Sequence, residues 1–131
     1  GWDFINRETS EDKDLVNSLK ESAGRVSFFV DPIEKQLEGS KEVGADRIEF
    51  YTGPYADNPG PNSIEPFTSC YTLGRELNLG INAGHDLDLD NLAFFLKNVP
   101  ADEVSIGHAL ISNALVFGIQ NTVKQYLELC N

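Results

Sequence analysis

Methionine is absent from the 131 residues, tryptophan occurs once and cysteine twice. Cys70 and Cys130 are too few for a disulfide scaffold and lack the close spacing of a metal-binding pair, so a reducing, cytoplasmic setting is expected. Basic residues are also scarce. Ten Lys and Arg stand against 21 Asp and Glu, a formal charge of −11. A field of that sign repels polyanions, which disfavours nonspecific nucleic-acid binding and docking on an anionic membrane. Long apolar runs are missing too: the longest, near residues 26–30 and 92–96, fall far short of the roughly 20 residues a membrane-spanning helix needs. No basic stretch leads into an apolar run at the start, so no secretory leader is expected. Gly1-Trp2-Asp3-Phe4 reads instead like the interior of a longer chain.

What is present is ordinary globular material. A hydrophobic share of 40% with 24% charged residues excludes disorder and fibrous repeats and predicts one compact unit. Strand-like runs begin near residues 25, 47, 79 and 103, with helical patterns between them. Ser10 is placed to cap a first helix that buries Leu15, Val16 and Leu19 and stops at Gly24. Asp31-Pro32 reads as the start of a second helix, with Ile33, Leu37 and Val43 inward and Gly44 as its stop. Residues 52–62 are dense in Gly and Pro and predict a long loop, followed by a helix from Ser63 to Gly80 with Pro66 in its first turn. A fourth helix is expected over residues 88–98, and a last helical stretch over 109–129 is divided by Gly118. Strand–helix alternation of this kind predicts parallel strands joined by right-handed crossovers, hence an α/β fold. A complete (β/α)8 barrel takes about 250 residues, so four units amount to about half of one. The competitor is a doubly wound sheet, but no glycine-rich dinucleotide fingerprint follows the first strand.

The polar residues gather where these strands end, which is where barrels keep their chemistry. His85 stands just past the third strand, in Asn82-Ala83-Gly84-His85, and an imidazole with a pKa near 6.5 can both give and take a proton at about neutral pH. The alternative is a loop histidine without a role. Gly107-His108 joins the fourth strand to a helix, so free N–H groups there could cradle a phosphate; a plain tight turn would look the same. Glu49 interrupts the apolar strand Ile48-Glu49-Phe50 and by alternation points away from both neighbours. A carboxylate inside a barrel needs a function or a partner, whereas on an open edge it would merely face solvent. Asp86, Asp88 and Asp90 alternate in a way that invites a hard cation, but Asp88 fits a helix cap better and no metal is expected. Cys70 has no neighbouring histidine in sequence and is not expected to act as a nucleophile, and Trp2 is expected to pack.

Four segments together carry a specific likeness: Val43-Gly44-Ala45-Asp46-Arg47-Ile48-Glu49, Tyr51-Thr52-Gly53 with Tyr55-Ala56, Asn82-Ala83-Gly84-His85, and Ile106-Gly107-His108-Ala109. In order and spacing the chain resembles the second half of the pyridoxine 5'-phosphate synthase family over nearly all its length. The resemblance implies that residues 1–131 are the C-terminal half of a TIM-type (β/α)8 barrel. It also implies a cytoplasmic, cofactor-independent enzyme of vitamin B6 synthesis that assembles into homo-oligomers. The implied reaction condenses 1-deoxy-D-xylulose 5-phosphate with 3-amino-2-oxopropyl phosphate and releases phosphate and water. By position, His85 would be the proton donor and Glu49 the carboxylate that stabilises the transition state. Asp86, Gly107 and His108 would meet the amino ketone phosphate, with Thr52 and Gly53 lining the same mouth. Asp86 stands where the family usually has glycine, and Tyr51 where it often has histidine. The family's other half supplies a further histidine and glutamate and much of the sugar phosphate site. A noncatalytic phosphate-binding module is the alternative reading; an isomerase or aldolase of related barrel type lacks its expected strand-end lysine.

Overall fold

The computed structural model describes residues 1–6 and 8–131. Four strands, β1 (Ser27–Val30), β2 (Arg47–Tyr51), β3 (Gly80–Gly84) and β4 (Glu103–Ser105), pair in parallel in the order β1-β2-β3-β4. The order never reverses, so the sheet has no switch point of the doubly wound kind. Among the described residues seven helices accompany it: α1 (Ser10–Lys20), α2 (Glu34–Glu42), α3 (Gly53–Ala56), α4 (Pro61–Glu76), α5 (Leu92–Asn98), α6 (His108–Phe117) and α7 (Ile119–Cys130). The fold is α/β with a parallel four-stranded sheet, consistent with part of a TIM-type barrel.

Strand alternation sorts the two faces. Ile48 and Phe50 are fully buried against the helices, while Arg47, Glu49 and Tyr51 point to the opposite face and are half-buried. Phe28, Val30, Ile81 and Ala83 complete the helix-facing layer. Gly74 lets α4 come close, since a Cβ there would meet the Ile81 and Leu37 side chains. An aromatic cluster of Phe50, Phe67, Tyr55 and Phe95 fills the space beyond, with ring centroids 5.2–6.4 Å apart.

The helix stops read from glycine hold at Gly44 and Gly118, whose φ values are +89° and +80°. At Gly44 the last turn closes by paired bonds, Gly44 N–H to Lys41 O and Ala45 N–H to Ser40 O, the left-handed stop a glycine makes easy. Elsewhere the boundaries move. Thr9, not Ser10, caps α1, and that helix ends at Lys20; Leu15 and Leu19 stay over 40% exposed while Val16 is buried. Ile33 caps α2 and is exposed, because Asp31 O takes the Ile33 N–H in a tight turn ahead of the helix. The expected loop at 52–62 contains α3, and α4 begins at Pro61, so Pro66 falls in its second turn on the exposed side. Asn78 at φ +56° ends that helix and Gly80 opens β3. The helix expected over 88–98 starts at Leu92 with Asn91 at its N-cap position, and Asp88 caps the turn before it: its Oδ1 accepts the N–H groups of Asp90 and Asn91, while Asn91 Oδ1 accepts the Asp88 N–H.

The N-terminal end of the sheet is tied by charge. Arg25 Nη2 reaches both carboxylate oxygens of Glu103 at 2.7 and 2.9 Å, spanning from the start of β1 to β4 across the open face. Beneath it Arg47 donates to Asn82 Oδ1 at 3.0 Å and lies 3.4 Å from Asp102, which also holds Arg75. Arg25 first, then Arg47 and Asn82, hold the Glu103 carboxyl below its ordinary range. Asp46 and Asp102, each just before a strand, accept a backbone N–H of the neighbouring strand, Val26 and Ile81 respectively, at 2.8 Å.

Candidate active site

At the opposite, C-terminal end of the strands the backbone itself is unusual. His85 and Asp86 follow β3 with φ of +100° and +57°, a region that side chains disfavour and that is worth testing for function. Two neighbours hold the turn. The Thr52 hydroxyl donates to His85 O and the Asn91 amide to Asp86 O at 3.0 Å, while Thr52 N–H bonds Gly84 O at 3.1 Å. Thr52 is fully buried, so its hydroxyl braces the His85 turn rather than opening onto a mouth. Gly53 is buried beside it because the Tyr51 ring lies where a Cβ would stand.

The His85 ring is half-exposed and packs edge-on against Tyr51, centroids 4.8 Å apart. Its Nδ1 lies 2.8 Å from Asp86 Oδ2, and the other oxygen of that carboxylate lies 3.6 Å from His108 Nδ1. Two strand-end turns are thereby brought together through Asp86. Glu49 is two residues up β2 from Arg47, on a central strand rather than an edge, and shares its ladder row with Asn82. Its carboxylate lies over Gly84, where a Cβ would overlap Oε1. Gly107 caps α6 with nothing within 4 Å of its missing Cβ, and the N–H groups of a helix's first turn have no partners inside the helix. His85, Asp86, His108 and Gly107 thus form one cluster at the strand ends, Glu49 stands on the adjoining sheet face, and Thr52 with Gly53 lies underneath.

Sequence reasoning misses Tyr51 as a participant, whose ring packs edge-on against His85, and it places Asp86 at the substrate without its second role between two histidines. Cys70 is buried on α4 with its thiol pushed up to about 11 by burial and then by Glu34, which keeps it protonated and unreactive.

Fold and site define a class: an α/β protein with consecutive parallel strands whose C-terminal ends present imidazoles, carboxylates and an open helix start. Comparison with known proteins narrows it. The family model described as pyridoxal phosphate biosynthesis protein PdxJ matches residues 1–131. A pyridoxine 5'-phosphate synthase of Christiangramia forsetii is 47% identical over 133 residues, covering 98% of this chain and 56% of that protein. Those of Flavobacterium johnsoniae and Bacteroides fragilis are 47% and 48% identical, over 98% and 96% of this chain and 55% and 54% of theirs. The chain belongs to the pyridoxal phosphate biosynthesis protein PdxJ family. It spans about half the length of the curated relatives it matches.

Proposed function

We propose that this chain is the C-terminal half of a single (β/α)8 barrel and carries part of the active site of a cytoplasmic pyridoxine 5'-phosphate synthase. The reaction joins 1-deoxy-D-xylulose 5-phosphate to 3-amino-2-oxopropyl phosphate with loss of phosphate and water. The carrying observation is that His85 and the Gly107-His108 helix start, which the family resemblance singles out, meet at one end of consecutive parallel strands, with Glu49 on the adjoining sheet face, in a chain nearly half identical to such synthases. Exposed apolar residues flank the sheet on both sides, Leu15 and Leu19 beyond β1 and Ile111, Leu115 and Val116 beyond β4. They are surfaces that further barrel units, and neighbouring subunits of a homo-oligomer, would cover.

In this reading the phosphate of the amino ketone sits on the Gly107 and His108 N–H groups, where the helix dipole offsets an unfavourable global charge. His85 gives a proton to the leaving oxygen. Glu49 stabilises positive charge developing on the open face of the sheet. Asp86 stands at the amino ketone end, and Thr52 with Gly53 backs the mouth from below. No cofactor or metal takes part, and the partners are small phosphorylated molecules, with neither nucleic acid nor membrane involved. Among the described residues no helix is long and apolar enough to cross a membrane.

Protein expressed from its natural gene is given both substrates, and pyridoxine 5'-phosphate and free phosphate are measured together. Formation of both supports the synthase. Phosphate binding that is lost in Gly107→Asp, without turnover of the parent protein, supports the noncatalytic phosphate-binding module instead.

A further inference from the structure

Asp86 keeps a side chain at a position where the backbone would be more at ease with glycine. Its φ is +57°, directly after His85 at +100°. Both carbonyls of that turn are already satisfied, His85 O by the Thr52 hydroxyl and Asp86 O by the Asn91 amide. The turn is therefore held by groups other than the Asp86 carboxylate. That carboxylate is turned instead toward two imidazoles from different strand–helix units, with Oδ2 2.8 Å from His85 Nδ1 and Oδ1 3.6 Å from His108 Nδ1.

An ionised carboxylate only accepts hydrogen bonds, so it favours a proton on the nitrogen that faces it. A histidine whose Nδ1–H is held in this way exposes Nε2 as the nitrogen that exchanges protons with a ligand, the arrangement by which a carboxylate orients a catalytic or ligating imidazole elsewhere. Tyr51 closes the other side of the His85 ring at 4.8 Å and limits its rotation. The geometry points to Asp86 as a positioning residue that sets the tautomer of His85, while at 3.6 Å, beyond hydrogen-bond reach, it acts on His108 through its charge alone. It rests on the reading of His85 as the proton donor. The same pairing accounts for a carboxylate beside an anion site, since its charge is directed at two imidazoles.

The test is long-range 1H–15N NMR of the imidazoles in 15N-labelled protein expressed from its natural gene, without substrate, at about pH 8, above the titration of an ordinary histidine. Signals are assigned by their loss in His85→Gln and His108→Gln. In the parent protein the His85 ring should show Nδ1–H, and in Asp86→Gly it should move toward the Nε2–H form. Turnover should fall by about tenfold or more with a smaller change in KM. The melting temperature should not fall, because glycine suits φ +57°. Unchanged His85 imidazole signals in a folded Asp86→Gly protein would overturn the assignment. The NMR arm is read without turnover, so an inactive parent protein would refute the synthase reading and still leave the role of Asp86 decided by its spectra.

Discussion

At the N-terminal end of the sheet, Arg25, Arg47 and Arg75 meet Asp102 and Glu103 in contacts that reach across all four strands. At the C-terminal end of the same strands one carboxylate, Asp86, is shared between two imidazoles on a left-handed turn. The first end neutralises its charges on each other and fixes strand register. The second holds titratable groups in disfavoured backbone, which persists only because Thr52 and Asn91 brace it. The charge network and the proposed chemistry thus lie at opposite ends of one sheet, the division that the proposed barrel calls for.

The sharpest way to break that comparison is Arg47→Ala. Arg47 is only 16% exposed, and removing it takes away the donor to Asn82 Oδ1 and the cation 3.4 Å from Asp102, which keeps Arg75 and the Ile81 N–H. A loss of about 1.5–3 kcal/mol of unfolding free energy is expected by denaturant titration, the worth of a hydrogen bond to a charged group, with turnover per folded molecule retained. Turnover lost without loss of stability would erase the distinction between the ends.

Gly84→Ala probes the boundary between them. Its Cβ would overlap Glu49 Oε1 and stand 2.9 Å from the Ser105 Cβ. Overpacking of this kind should cost about 1–3 kcal/mol. Because Glu49 must swing aside, turnover should fall too; a purely thermodynamic effect would remove Glu49 from the site.

The smallest effect is in acid. Glu103 has its pKa lowered from an ordinary 4.5, chiefly by the Arg25 hydrogen bond. A folded-state value below the unfolded one means that the stabilisation is present above about pH 4.5 and is lost as pH falls through the folded-state value. Melting temperature should therefore decline below that pH less steeply in Arg25→Gln than in the parent protein. Equal slopes would show that the Arg25 contact adds nothing.

How much of this could be read from residues alone follows from the range of each interaction. Parallel order and the two faces were legible because alternation in Arg47-Ile48-Glu49-Phe50-Tyr51 and the stops at Gly44 and Gly118 are local signals. Helix starts were misplaced where side-chain capping was assumed, as at Ser10 and at Asp31-Pro32: neither start carries a side-chain cap, and a backbone turn from Ile33 N–H to Asp31 O precedes α2. The short helix α3 was hidden in a stretch whose glycines and prolines read as a loop. His85, Gly107 and His108 stood out because they follow strand ends. That Asp86 joins them, and that Thr52 points inward to brace His85, depends on two turns meeting in space, which no spacing along the chain reveals. The Arg47 network was invisible for the same reason, since its partners lie on β3 and at the start of β4.

The measurement that bears most directly on the account is turnover by His85→Gln in protein expressed from its natural gene, set beside its melting temperature. A glutamine keeps polar contacts but cannot deliver a proton, and general acid catalysis is worth about 10²–10⁴-fold. The account predicts a loss of that size with melting unchanged, because the braces on the turn act on the His85 carbonyl and not on its ring. Parent-level turnover in a folded His85→Gln protein would contradict it.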